Sequence, residues 1–79
     1  MITHHDRLTV IARLRLLDPS QDAQALNRAL TAFLSGQPTA LIEHTNIPRA
    51  QVRLALRQPS GWRRIRALHM YLDWAGVPA

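Results

Sequence analysis

Residues 38–59 read PTALIEHTNIPRAQVRLALRQP, and their punctuation decides the fold. Thr39 to Thr45 makes about two helical turns without a breaker inside them. Asn46 then interrupts, and Pro48 supplies the fixed φ that suits the first turn of a new helix. That second helix runs to Leu56 or Arg57, and Pro59 stops it. Asn tolerates left-handed backbone and caps helices well, so Asn46 is expected to end the first helix and help start the next. The stretch reads as two short helices joined by a tight turn.

The flanking segments are helical too. Thr3 with Asp6 forms a capping-box pattern that opens a helix over about residues 4–17, with Leu8, Ile11, Leu14 and Leu17 spaced as one apolar face. Asp18-Pro19 restarts the chain, with Asp18 as N-cap, Pro19 in the first helical position and Gln21 completing the box. This second helix continues through Ala23, Leu26, Leu30, Phe33 and Leu34 to Gly36. Ser60 caps a last helix over about 61–75, ended by Gly76 and Pro78. β-branched runs are few and period-two alternation is absent, which argues against a sheet. The expectation is an all-α chain, one domain over 1–79, built as a compact bundle of about five helices.

A chain of 79 residues buries only about 60–65% of its unfolded surface, so its stability is small. It has no cysteine, which excludes disulfides and thiolate zinc sites and leaves oligomerisation as the remaining support. The first residues lack the basic and apolar regions of a signal peptide, and no apolar run approaches the ~20 residues that span a bilayer. A soluble, cytoplasmic protein without membrane contact is expected.

The net charge of +5 is unevenly placed. Arg7, Arg13, Arg15 and Arg28 balance Asp6, Asp18, Asp22 and Glu43 in the first 45 residues, whereas Arg49, Arg53, Arg57, Arg63, Arg64 and Arg66 face Asp73 alone in the rest. The whole excess belongs to the C-terminal half, which favours a polyanionic partner over a merely solvated surface. With Ile47, Val52, Ala55 and Leu56 facing inward, Arg49, Arg53 and Arg57 share the outer face at i, i+4 and i+8, with Ala50 and Leu54 beside them. No acid sits at i±4 to pair them, and unpaired like charges at that spacing cost a few tenths of a kcal/mol per pair.

Two helices joined by a tight turn, the second basic on its outside, make the unit that places a helix in the DNA major groove. On Leu41, Asn46, Ile47 and Val52 the stretch resembles the helix-turn-helix family of small phage and plasmid repressors. Ile42 stands where that family usually has a small residue, and Asn46 where it usually has Gly. The resemblance implies a repressor or autoregulator that binds double-stranded DNA as a homodimer on a palindromic operator. Arg49, Ala50 and Arg53 lie nearest the start of the recognition helix and are assigned to base edges. Gln51, Arg57, Ser60, Arg63, Arg64 and Arg66 are assigned to the DNA backbone, the last four around a helix N-terminus suited to phosphate.

The last helix has two apolar stripes: Ile65, Leu68, Leu72 and Ala75 as the core side, and Ala67, Met70, Tyr71 and Trp74 as a second. Either a second subunit covers Met70, Tyr71 and Trp74, making them the dimer interface, or the N-terminal helix of the same chain does. Trp62 reads as a core or cation–π residue rather than a wedge between bases. His4, His5, His44 and His69 show neither HxxxH nor HxH spacing, so no metal is expected, and His69 is expected to pair with Asp73 at i+4. Scattered carboxylates, no glycine-rich phosphate loop and serines placed as caps argue against an enzyme, a cofactor or a small-molecule substrate. The competing class is a small interaction module or inhibitor whose basic helical face binds an acidic protein, which predicts no affinity for duplex DNA.

Overall fold

The structure, a computed structural model, describes residues 2–79. It is all-α: α1 spans His4–Leu17, α2 Ala23–Leu34, α3 Thr39–His44, α4 Arg49–Leu56 and α5 Gly61–Trp74, with no strand among the described residues. None of these helices is long and apolar enough to cross a membrane.

The caps explain the boundaries. The Thr3 hydroxyl accepts from the Asp6 backbone N–H at 3.1 Å, and the Asp6 carboxylate accepts from the Thr3 N–H at 2.9 Å, so α1 opens with the expected capping box. α2 starts later than the sequence reading places it. Its N-cap is Asp22, whose carboxylate accepts from Ala25 N–H, and Asp18 instead closes α1. The Asp18 carboxylate accepts from the Ser20 N–H, the Ser20 hydroxyl and the Gln21 side chain, folding 18–21 into a turn that competes with a helical start at Pro19. Gly36 and Gly76 both have left-handed backbone, φ 98° and 82°, where an L side chain is strained. Behind each, a paired hydrogen-bond pattern closes the helix: Gly36 N–H to Phe33 O with Gln37 N–H to Ala32 O, and Gly76 N–H to Asp73 O with Val77 N–H to Leu72 O.

One core draws on all five helices and the turn between α3 and α4: Val10, Ile11 and Leu14 of α1, Leu26, Ala29, Leu30 and Phe33 of α2, Leu41, Ile47, Val52 and Ala55, and Ile65, Leu68 and Leu72 of α5. The buried face of α1 is rotated from the expected one. Val10 is fully buried and Leu8 is exposed, because Arg13 occupies the inner side of the helix and α1 must turn that face toward α5. Ala75, expected in the core, is exposed.

Arg13 is the one buried charged residue among those described, 4% exposed, and it binds the C-terminal tail. Its guanidinium donates to Pro78 O at 3.1 Å, Val77 O at 2.7 Å and His69 O at 3.3 Å, reaches His69 Nδ1 at 2.9 Å, and pairs with Asp73 at 2.6 Å. The expected His69–Asp73 pair is therefore replaced: Arg13 comes between them as the common partner. Burial and the Arg13 charge hold the His69 imidazole below its ordinary pKa.

Candidate nucleic-acid interface

The chemistry of the turn starts with Thr45. Its hydroxyl donates to Leu41 O at 2.7 Å and accepts from Ile47 N–H at 3.3 Å, so one side chain closes α3 and steers the chain into α4. Asn46 does not play the expected part, since no non-glycine residue among those described has positive φ. The signal for Thr45 was present in the sequence, a β-hydroxyl residue at a helix end, but Asn46 beside it is the stronger turn former. Residues 45–48 form the whole connection between α3 and α4, and Pro48 occupies the N-cap.

Leu41, Ile47, Val52 and Ala55 are buried, as the inward face of the two-helix unit requires, and Leu56 is half-buried. Ile42 is accommodated half-buried at the edge of the core. The opposite side of α4 carries Arg49, Ala50, Gln51, Arg53, Leu54 and Arg57, all exposed. The Arg13–Asp73 pair is the one ion pair among the described residues, so Arg49, Arg53 and Arg57 stand without a carboxylate partner. An outer face of cations with no internal counter-ion attracts polyanions, and the guanidinium fork suits phosphate and the guanine edge.

The arginines of α5 divide. Ser60 caps the helix by accepting from Arg63 N–H at 3.2 Å, so its oxygen serves the fold while the residue stays exposed. Arg64 is half-buried, donating from Nε to Gln58 O at 3.1 Å and from Nη1 to Leu34 O at 3.2 Å. It ties the start of α5 to the end of α2, a structural duty that the backbone-contact reading of Arg64 missed. Arg66 lies over the Trp62 ring, 5.6 Å from its centroid, and Trp62 is 51% exposed rather than in the core. Arg63 and Arg66 line a shallow hollow with Gln58, Trp62, Ala67 and Met70. Of the nine residues assigned to DNA, the structure gathers Arg49, Ala50, Gln51, Arg53 and Arg57 on the exposed side of one helix and gives Ser60 and Arg64 other partners.

Chain-wide comparison with protein-family models, curated proteins and solved structures finds no match. Among the described residues no group of three or more His, Asp or Glu is placed to hold a metal ion.

Beside α4 lies a second feature. A groove of about 410 Å³ runs between α4 and α5, lined by Gln51, Leu54, Ala55 and Gln58 on one side and Ala67, Met70, Tyr71 and Trp74 on the other. Leu54 is 52% exposed, Met70 62% and Trp74 83%. The N-terminal helix does not cover this stripe, since α1 packs on the other side of α5 through Arg13 and His69. Tyr71 and Trp74 touch each other, with ring centroids 6.0 Å apart at 38°.

Proposed function

We propose that the chain is a helix-turn-helix DNA-binding protein, a repressor or autoregulator, with α4 as the recognition helix. The observation that carries the reading is the trio Arg49, Arg53 and Arg57, exposed and unpaired at i, i+4 and i+8 on the outer face of α4, while Val52 and Ala55 on its inner face, with Ile47 of the preceding turn, are buried in the core. A short helix buried on one side and cationic on the other is the shape that enters a major groove. Arg49 and Arg53, nearer the helix start, read base edges, and Ala50 meets a thymine methyl. Gln51 and Arg57 contact phosphates. Two copies on a palindromic operator would set two recognition helices about 34 Å apart, which is the spacing of successive major grooves on one side of the duplex. Bound upstream of its own gene, such a dimer represses by excluding polymerase.

The test is selection of binding sites from a random duplex pool, followed by titration of the enriched site with wild-type protein and Arg53→Ala. The expected result is a two-fold symmetric site and a loss of roughly 1–3 kcal/mol per half-site in the folded variant. An acidic-protein partner predicts the opposite, no enrichment and no duplex affinity in low salt. That outcome overturns the DNA reading.

A further inference from the structure

We infer that α5 pairs antiparallel with α5 of a second copy, in a register that sets Arg63 against the partner subunit's Trp74 and Ala67 against the partner subunit's Met70. This deepens the two-copy part of the reading above and does not depend on DNA being the ligand.

The outer face of α5 carries Arg63, Ala67, Met70 and Trp74 at steps of four, three and four, the spacing of a coiled-coil seam. Ile65, Leu68 and Leu72, on the opposite side, are buried in the chain's own core. Arg63, Met70 and Trp74 of the seam are exposed while Ala67 is half-buried at its floor, and Met70 and Trp74 are the two most exposed large hydrophobics among the described residues.

The spacing is a palindrome, so turning the helix end for end lays the seam on itself without a shift. The pairs that result are complementary in two ways. The small Ala67 meets the large Met70, which lets the helices approach, and a guanidinium meets an indole face, the best cation–π partner. Each pair occurs twice, as a two-fold interface demands.

Charge selects the orientation. α5 carries Arg63, Arg64 and Arg66 in its first two turns and Asp73 in its last. Parallel pairing would set arginine beside arginine. Antiparallel pairing sets each cationic start beside the carbonyl end and Asp73 of the other helix, where cations are favoured. The groove walls from α4, Leu54 above all, then close over the flank of the seam. The pairing takes Arg63 from the phosphate-contacting set and gives it to the interface.

The chain lacks cysteine, so introduced thiols report geometry without background. Sedimentation equilibrium of the DNA-free protein is expected to show a dimer at tens of micromolar, and Met70→Glu to weaken it at least tenfold with unchanged helicity. For register, Arg63→Cys and Trp74→Cys variants are treated with a two-carbon bis-maleimide, singly and mixed. Antiparallel pairing links the mixture alone, because like positions lie about 16 Å apart at 1.5 Å rise per residue. Parallel pairing links each variant by itself, and that result overturns the register. A monomer at every concentration overturns the pairing and the two-copy part of the reading while leaving α4 as a duplex-binding helix, whereas a dimer without duplex affinity keeps the pairing and overturns the DNA reading.

Discussion

Arg13 and Asp73, sixty residues apart, join through a 2.6 Å contact that fastens the first helix to the last turn of the fifth. The two partners differ in setting: the guanidinium is buried and the carboxylate largely exposed. Four further contacts fill the remaining capacity of the guanidinium, and three of them are to carbonyls of His69, Val77 and Pro78. The tail after α5 is thus held by one side chain from the other end of the chain.

Removing Arg13 should therefore cost more than removing Asp73. Arg13→Met is expected to lower unfolding free energy by at least about 1.5–3 kcal/mol, the range for a single hydrogen bond to a charged group, because it removes five such contacts. Asp73→Asn keeps an oxygen acceptor but removes the counter-charge of a buried guanidinium that three carbonyls still serve, and should cost less than Arg13→Met. Urea unfolding of the two variants measures both. Equal losses would show that the ion pair, rather than the carbonyl contacts, carries the effect.

His69 makes stability depend on pH. Its Nδ1 faces Arg13 at 2.9 Å and must accept, so the folded state favours the neutral imidazole. Burial and the Arg13 charge lower its pKa, partly offset by Asp73 and Asp6. The unfolded chain binds the proton more readily, so the contribution is present above the ordinary pKa of 6.5 and is lost as pH falls through the depressed folded value. Thermal unfolding between pH 7.5 and 5 should show a falling midpoint, and His69→Gln should flatten that slope. A midpoint that rises on acidification would reverse the sign of the linkage.

Thr45 ties the end of α3 to the turn that leads into α4. Thr45→Val keeps the shape but removes the hydroxyl that serves Leu41 O and Ile47 N–H, two hydrogen bonds worth about 1 kcal/mol each. The expected loss of stability is about 1–2 kcal/mol. If α4 reads DNA, operator affinity should fall further than stability does, because a recognition helix set at the wrong angle loses several contacts together. Asn46→Ala, by contrast, should leave both nearly unchanged.

Salt dependence separates phosphate contacts from base contacts. With Gln51 neutral, Arg57 is the main counter-ion-releasing contact proposed on α4, and Arg57→Ala should reduce the log–log salt slope of a dimer by about 1.8, from about 0.9 per phosphate. Arg53→Ala should weaken binding to the selected site with little change in slope. Titrations at several salt concentrations read both quantities. A slope that ignores Arg57 would remove it from the backbone contacts.

The helices and their order were legible in the sequence because local physics sets them. Thr3 with Asp6, Ser60, Gly36 and Gly76 act on their own neighbours, and a cap or a left-handed glycine works the same in any fold. The exposed arginines of α4 were legible for a similar reason, since the helix period alone separates Val52 and Ala55 from Arg49, Arg53 and Arg57. Tertiary structure decided what depends on distant partners. Whether Leu8 or Val10 faces the core, whether Arg64 meets solvent or Leu34 O, and whether His69 answers to Asp73 or Arg13 are choices among helix faces. Spacing along one helix cannot make them, because each is settled by a group thirty or more residues away. The open stripe of Met70 and Trp74 belongs to the same kind: periodicity showed a second apolar face, and only the packing of α1 and α4 around α5 left it uncovered.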